Sequence, residues 1–286
     1  MRRFHLSFGS IYFWAFTLIL YLPIFLLILF SFNDSETLRF PLEGFTMRWY
    51  EALVESGELL EAARNSLLVG VISSLISTVL GTMAAIAIVR YRFIGRSSFI
   101  AISALPLVIP SVVIGVALLI LFRQLFDIQL SLFTITLSHV MINIPLVILI
   151  VAARLAGFPE NLEEAAMDLG ASYWGAQLRV VIPIIMPALV AAFLTAFTTS
   201  FDEYAMTVFI TGSDATLPIY IYSQLRFPRR IPIVAAVGAV ILVASILIIF
   251  FAERYRRSGM TPRTPLPEEG AAPGEVRSLN ASESRG

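Results

Sequence analysis

The sequence predicts an all-α polytopic membrane protein with six transmembrane helices and both termini in the cytoplasm. The chain has 286 residues, of which 58% are hydrophobic and only 14% are charged. Soluble domains average about 45–50% apolar and about 25% charged residues. Six uncharged stretches are each long enough to cross a bilayer, which takes about 20 apolar residues in a helix. Composition and span length together therefore indicate a multi-pass membrane protein.

Each of the six stretches is expected to be helical, because an unpaired backbone amide in lipid costs several kcal/mol. The first stretch is too long for the apolar core of a secretory signal, so we expect it to remain as a membrane anchor. In chain order, the predicted spans are residues 11–33, 65–89, 97–122, 128–153, 180–201 and 231–252.

The distribution of arginine predicts the orientation of these spans. Arginines flank the membrane before the first span, after the second and after the sixth, at Arg2, Arg3, Arg90, Arg92, Arg96, Arg254, Arg256 and Arg257. The positive-inside rule places such clusters, and therefore both termini, in the cytoplasm. Another arginine group on the opposite side runs against this assignment: Arg226, Arg229 and Arg230.

The segments outside the spans predict three further regions. Residues 1–10 form a cytoplasmic N-terminus, residues 11–255 the transmembrane domain, and residues 256–286 a disordered cytoplasmic tail rich in Pro, Glu, Ala, Gly and Ser. The loop at residues 34–64 carries seven acids. Within it, residues 46–53 and 57–65 are expected to form short amphipathic helices, with Trp49 and Tyr50 at the membrane interface.

Two absent residue types exclude several function classes. The chain has no cysteine, so it lacks disulfides, thiolate metal sites and cysteine nucleophiles. All twenty basic residues are arginine, so no P-loop lysine is available to bind ATP. The net charge of zero provides no basic surface for nucleic acid. We expect no catalytic residue, no metal site and no cofactor.

Prolines interrupt the third and fourth spans at Pro106, Pro110 and Pro145. Proline removes a backbone hydrogen bond, which membrane helices tolerate where neighbours or a wet cavity compensate. Two interpretations stay open: kinks that serve helix packing, or a broken helix that borders a pathway.

The loop between the fourth and fifth spans, residues 154–179, is polar and predicts two short helices around a turn. Asn161 is placed as an N-cap, and Gly170 is suited to a left-handed C-terminal turn. Ser172 is placed to cap the second helix. Such a helical hairpin presents a compact surface that fits a groove on a partner protein.

Glu164, Ala165 and Ala166, followed by Gly170 and then by Pro183, resemble the EAA loop of bacterial ABC importer permeases. Val180 and Ile182 are conservative departures from that pattern. The resemblance covers roughly residues 11–255 and implies the type I importer fold. It also implies that the loop docks into a separate ATPase subunit. The coupling residues carried over to this sequence are Glu163, Glu164, Ala165, Ala166, Asp168, Gly170, Ala171 and Pro183.

Within that family, residues 199–212 and 217–226 resemble the second permease subunit of spermidine/putrescine-type importers. This resemblance implies that the solute is a polyamine and that a solute-binding protein outside the membrane is a partner. It also implies that the protein is located in the bacterial plasma (inner) membrane, in contact with membrane lipid. Importers of ferric iron, phosphonates, opines or amino-acid-like solutes share similar stretches, so the solute stays open. Because six spans do not easily enclose a pathway, we expect pairing with a homologous permease.

Four polar residues near the end of the fifth span are candidates for the solute pathway: Thr199, Asp202, Glu203 and Tyr204. Acids in a membrane usually face a cavity or a partner. They could line the outer pathway and attract cations, or pair with Arg226, Arg229, Arg230 or the partner permease. If those arginines line the pathway, they would repel a polyamine.

His139 is expected to bond between helices, although a role in proton or ligand binding stays open. An intramembrane serine protease would need a serine that faces His139, and the adjacent Ser138 cannot do so. A stand-alone carrier should show an inverted repeat, and none is visible in the sequence.

Overall fold

The computed structural model describes residues 8–157 and 161–258, and these residues form helices joined by short connections. An isolated β-bridge joins Asn33 and Phe45. The helices are α1 (Phe8–Ser31), α2 (Arg48–Glu55), α3 (Gly57–Arg90), α4 (Arg96–Val108), α5 (Ser111–Ile120), α6 (Leu132–Ala156), α7 (Asn161–Asp168), α8 (Tyr173–Ala176), α9 (Ile182–Asp202), α10 (Thr207–Ile210), α11 (Leu217–Gln224) and α12 (Ile231–Ser258). Short π-helical turns follow α5 (Leu121–Leu125) and α8 (Gln177–Val181), and a 3₁₀ turn, Pro228–Arg230, precedes α12.

Five helical runs in the described part of the chain are long and apolar enough to cross a membrane, and a bent pair is the candidate for a sixth span. The bent pair is α4 with α5 and its π turn, at an angle of 105°. Of the two interpretations of the prolines in the predicted span 97–122, the structure therefore shows the broken helix. Pro110 has no N–H and disfavours helical backbone at the preceding residue, and Ile109 is accordingly extended, with φ −77° and ψ 129°. The five runs are Gly9–Ser31, Gly57–Arg90, Leu132–Ala156, Tyr173–Asp202 and Pro228–Leu247.

The helices α3, α6 and α9 pack against one another and form the central bundle. Glycines allow this close approach: a Cβ on Gly81 of α3 would lie 2.6 Å from Val147 Cγ1 on α6. A Cβ on Gly70 would lie 2.9 Å from the ring of Phe197 on α9. Small residues at membrane helix contacts increase van der Waals packing, which drives association where no hydrophobic effect operates. The bundle core consists of Ala85, Val147, Val151, Leu155, Val181, Ile185, Ala192 and Ala196.

A second apolar cluster joins α5, α6 and α10. Its side chains come from the second half of the broken third span, from α3 and α6, and from the residues that follow α9. Gly115 of α5 lies so close to α10 that a Cβ there would be 2.8 Å from the Met206 carbonyl oxygen. This contact fixes the chain immediately after α9. The members of the cluster are Val69, Ile114, Leu118, Phe122, Ile135, Met206 and Ile210.

The loop before the second span differs from its prediction at its second helix. The first amphipathic helix is present as α2, but the second, at residues 57–65, is the beginning of the 34-residue α3. Ser56 caps α3 by accepting the Leu59 N–H, and no helix-breaking residue follows. Trp49 is buried, and its Nε1–H donates to the Asn33 carbonyl at 2.8 Å; its place at the membrane interface stays a prediction.

The predicted flanking regions lie largely outside the described residues. α1 begins at Phe8, so residues 8–10 belong to the first helix. α12 runs to Ser258, and the remainder of the predicted tail is not described. The chain divides after Gly238 into two compact units, and the contacts discussed below all lie in the first, Met1–Gly238.

Candidate functional site

The polar loop after α6 folds as the predicted helical hairpin. Gly170 is left-handed, with φ of 89°. Its N–H donates to the Met167 carbonyl at 2.9 Å, and the Ala171 N–H donates to the Ala166 carbonyl at 3.0 Å. This pair of bonds is a Schellman motif, which glycine at the C′ position permits. Ser172 then caps α8 through its side-chain oxygen, as predicted.

Glu163 fastens the hairpin to the membrane helices. Its Oε1 lies 2.9 Å from Nε of Arg90, the last residue of α3, and these side chains are only 13% and 9% exposed. Its Oε2 accepts a hydrogen bond from Gln177 Nε2 at 2.9 Å. The Tyr91 hydroxyl donates to the Tyr173 hydroxyl at 2.7 Å nearby. One carboxylate and one pair of phenols thus attach the hairpin to α3.

The opposite side of the hairpin faces outward, and we call Glu164, Ala165, Asp168, Leu169 and Trp174 its outward face. All five residues are exposed. Leu169 is 90% exposed and Trp174 is 70% exposed. Within the described ranges, Glu164 and Asp168 form no hydrogen bond or ion pair through their side chains. Exposed apolar residues beside unpaired acids are typical of a protein-binding surface.

Pro183 lies in the first turn of α9, where its side chain is exposed. Its missing N–H leaves the Arg179 carbonyl without the usual partner four residues later. The preceding turn, Gln177–Val181, is accordingly π-helical. Ala166 and Ala171 are half-buried within the hairpin. The structure therefore gathers the predicted coupling residues into one hairpin, apart from Pro183 in the helix that follows.

The predicted pathway residues lie where α9 ends. Asp202 is the last residue of α9 and is exposed. Glu203 Oε1 accepts a backbone N–H three residues later at 2.8 Å, which orders the following turn. Tyr204 stacks on Tyr222 of α11, with ring centroids 3.9 Å apart and ring planes 16° from parallel. Both rings line a cavity of about 390 Å³, and Arg226 lines it too.

Threonines continue this polar surface along α9. Thr195, Thr198 and Thr199 are exposed, and each hydroxyl donates to the carbonyl four residues before it at 2.7 to 2.9 Å. Thr195, Thr198 and Asp202 share one face, because they are three and four residues apart. Polar residues in a membrane helix favour water or a protein partner over lipid. α9 therefore directs a polar face away from its own bundle.

The ion pairs considered for the two acids are absent from the described part of the chain, where neither Asp202 nor Glu203 pairs with arginine. Arg229 instead lies 3.3 Å from Glu36 Oε2. Arg230 donates to Gln224 Oε1 at 2.6 Å and lies 5.6 Å from a phenylalanine ring centroid. Pairing with a partner permease stays a prediction.

His139 bonds between helices, as predicted. It is 1% exposed, and its Nδ1 lies 2.6 Å from Ser200 Oγ of α9. Its Nε2 lies 2.9 Å from Thr207 Oγ1 of α10. Ser200 Oγ is also 3.0 Å from Ser73 Oγ of α3. Four elements thus meet in one buried polar network.

Sequence reasoning missed several residues that complete these sites. Arg90 was counted only as a marker of orientation, and Gln177, Tyr222 and Thr207 were not singled out. Arg90 and Glu163 are far apart in sequence, so local spacing carries no signal for their pairing. No metal-binding group of three His, Asp or Glu residues occurs within residues 8–157 and 161–258.

The architecture is shared with solved ABC transporters. The chain is similar to a chain of a bacterial ABC transporter involved in the import of the acidic polysaccharide alginate, with a TM-score of 0.66, 17% identity, and coverage of 88% of this chain and 95% of the other. It is also similar to a chain of the inward-facing MetNI methionine ABC transporter, with a TM-score of 0.57, 18% identity, and coverage of 76% and 100%. The fold is therefore that of an ABC transporter membrane subunit.

Sequence similarity narrows this class to a family. Residues 77–258 match the model described as binding-protein-dependent transport system inner membrane component, and the chain belongs to this family. Over 241 residues it is 35% identical to the Escherichia coli K12 spermidine/putrescine transport system permease protein PotC, covering 83% of this chain and 89% of the relative. Over 240 residues it is 34% identical to the putrescine transport system permease protein PotI of the same organism, covering 82% and 85%.

These findings confirm the predicted family, fold and membrane location. The chain is a multi-pass inner-membrane permease of an ABC importer. Its relatives are transport permeases, so the protein is a transporter subunit and not an enzyme.

Proposed function

We propose that this chain forms half of the solute pathway of a polyamine importer and that its hairpin docks into a separate ATPase subunit. The division of the hairpin into two sides carries this proposal. Glu163 is held by Arg90 on the inner side, while Glu164, Leu169 and Trp174 are exposed, and Glu164 forms no hydrogen bond or ion pair through its side chain within the described residues. A hairpin that is held to α3 on its inner side and exposed on its outward face is suited to rigid attachment to another protein.

The same hairpin is continuous with the helix that carries the pathway residues. Tyr173–Asp202 is a helical run of 30 residues, which corresponds to about 45 Å at 1.5 Å per residue. A displacement of the hairpin by the ATPase would therefore reach the level of Asp202 as a rigid-body movement. Transport energy would enter at Glu163–Arg179 and tilt the third to fifth spans.

This assignment fixes the orientation and the remaining partners. The hairpin lies in the cytoplasm with both termini, residues 11–255 form the permease domain, and residues 1–10 and 256–286 flank it. A homologous permease covers the polar face of α9, which carries Thr199 and Asp202. A solute-binding protein delivers the solute from outside, as the family description implies.

Two observations at the outer end of α9 favour an amine cation as the solute. Asp202 and Glu203 supply negative charge without an arginine partner in the described residues, and the stacked rings of Tyr204 and Tyr222 can attract a cation through their faces. The permeases named for spermidine and putrescine share about a third of their residues with this chain. Arg226 at the same cavity favours a second candidate, a zwitterionic amino-acid-like solute.

Uptake by the complete transporter tests the solute. The permease pair, ATPase and cognate binding protein would be reconstituted in vesicles and supplied with labelled spermidine, putrescine or amino acids. We expect uptake of the polyamines and competition by unlabelled polyamine. Uptake of an amino acid alone would favour the zwitterionic candidate and contradict the polyamine assignment.

Co-purification tests the docking surface. We expect the triple variant Glu164→Ala, Leu169→Ala, Trp174→Ala to lose the ATPase from the purified complex while remaining folded. Glu55→Ala, which removes an exposed acid from α2 on the predicted opposite side of the membrane, is the matched control. Retention of the ATPase by the triple variant would contradict docking on this face.

A further inference from the structure

The residues between α9 and α10, which we call the connecting segment (203–206), carry Glu203 and Tyr204 of the proposed pathway. One side chain holds both ends of this segment. His139 Nδ1 lies 2.6 Å from Ser200 on α9, and its Nε2 lies 2.9 Å from Thr207 on α10. The imidazole ring therefore sets the distance between the Ser200 and Thr207 hydroxyls.

The contacts around the connecting segment leave it little freedom. His139, Ser200 and Thr207 are only 1%, 4% and 0% exposed, so water does not compete for their hydrogen bonds. Glu203 accepts a backbone N–H inside the segment, and Gly115 of α5 lies against its last residue. A change at the imidazole must therefore be taken up by a shift of the segment or of the helices beside it.

We propose that His139 is a positioning residue that sets where Glu203 and Tyr204 stand in the pathway, and thereby sets discrimination between amine solutes of different length. This inference rests on the proposed pathway. An interhelical bond without this role would contribute stability alone. A positioning role predicts more, because a carboxylate and a ring held at a fixed spacing favour one spacing of charges in the solute.

The test measures the ratio of spermidine to putrescine uptake by the complete transporter at saturating loaded binding protein. Loss of general stability lowers both rates together and leaves this ratio unchanged. We expect His139→Ala to shift the ratio by about threefold to tenfold, which is the fold-change that corresponds to the net free energy of one ordinary hydrogen bond. Thr207→Val removes one hydroxyl while keeping the side-chain shape, and we expect a shift in the same direction.

A conservative series separates the two ends of the clamp. Asparagine can reproduce the bond from the Nδ1 side and glutamine the bond from the Nε2 side. We expect His139→Asn and His139→Gln each to restore part of the wild-type ratio. If His139→Ala does not fold, these two variants still test the positioning role.

Asn143 provides the matched control on the same helix. It is fully buried one turn along α6 and donates to the Ala196 carbonyl of α9 at 3.3 Å, away from the connecting segment. We expect Asn143→Ala to lower thermal stability and to leave the uptake ratio unchanged. An equal shift in Asn143→Ala, or an unchanged ratio in both His139→Ala and Thr207→Val, would overturn the positioning role.

Glu203→Gln separates this inference from the proposed function beneath it. If Glu203→Gln leaves uptake of both solutes unchanged, the pathway assignment fails and the inference fails with it. If Glu203→Gln reduces uptake while the His139 and Thr207 variants keep the wild-type ratio, the pathway stands and only the role of His139 is refuted.

Discussion

Removal of the charge on Glu163 should loosen the coupling hairpin without unfolding the membrane domain. The carboxylate lies 2.9 Å from Arg90 Nε, a distance at which the attraction is about 6 kcal/mol for an effective dielectric constant of about 20. Desolvation offsets part of this, and loss of one member of a buried pair costs about 3–5 kcal/mol. Because these side chains keep 13% and 9% exposure, we take the lower value, about 3 kcal/mol. The population of detached hairpin should then rise about a hundredfold.

The variant Glu163→Gln tests this estimate, because it removes the charge and keeps an oxygen that can accept the bond from Gln177. The chain has no cysteine, so Leu162→Cys, at an exposed residue of α7 outside the outward face, gives this chain one site for a spin label on the hairpin. In the reconstituted transporter we expect faster label motion and at least tenfold less solute transported per ATP hydrolysed.

A matched variant and a charge swap decide the cause. Glu164→Gln should leave label motion at the wild-type value, because Glu164 has no partner in the described chain, while weakening the attachment of the ATPase. Exchange of the charges in Arg90→Glu with Glu163→Arg should restore part of the coupling. Wild-type label motion and wild-type transport per ATP in Glu163→Gln would refute the anchoring role.

Three further substitutions test local features. Gly170→Ala should loosen the hairpin by about 1–2 kcal/mol in the same label assay, because a Cβ is strained at a φ of 89° even though no atom lies within 4 Å of it. Gly57→Ala also places a Cβ with no atom within 4 Å, but in helical backbone, so it should leave label motion at the wild-type value. Thr82→Val should raise the thermal midpoint of the complex by removing a buried hydroxyl with no partner in the described residues, a gain of about 1 kcal/mol, whereas Thr134→Val should lose about as much because its hydroxyl donates at 2.8 Å. Gly81→Ala should lower the same midpoint by about 1–3 kcal/mol, since its Cβ would lie 2.6 Å from a valine of α6.

The membrane spans were predictable because lipid imposes a local rule: a spanning segment must be apolar and must satisfy its own backbone. The course of the third span was not predictable, because proline is compatible with a kink or a break. The outcome depends on the packing of α5 against α10, which brings Gly115 to Met206. The polar composition of residues 57–65 predicts a separate short helix, yet in the structure these residues continue into α3 without a helix-breaking residue.

The sequence predicted which residues belong to the candidate sites, but not the contacts that those residues make with other helices. Glu163, Glu164 and Gly170 were placed in one hairpin by local pattern, and the structure confirms the hairpin and its glycine turn. The different environments of the two adjacent glutamates follow from a contact with Arg90 of α3. Likewise, the stacking of Tyr204 on a ring of α11 is a tertiary contact. Local sequence carries no signal for either.

The two apolar clusters give the proposed mechanism a physical basis. α9 contributes Ile185, Ala192 and Ala196 to the bundle core, whereas Met206, just beyond it, belongs to the cluster with α5. The connecting segment (203–206) therefore lies at the junction of the two apolar clusters. His139 bonds to the last part of α9 and to the first residue of α10, so it spans this junction.

The break at Pro110 has a consistent place in this arrangement. α4 packs on α6, while α5 packs on α10. The bend of 105° between α4 and α5 lets the two halves of this span pack against these different helices. If the ATPase moves the hairpin and α9 with it, strain would collect at the connecting segment, where Glu203 and Tyr204 meet the solute. The polar network at His139 and the broken span then serve the same purpose. They allow the pathway residues to move with α9 while keeping their position relative to α10.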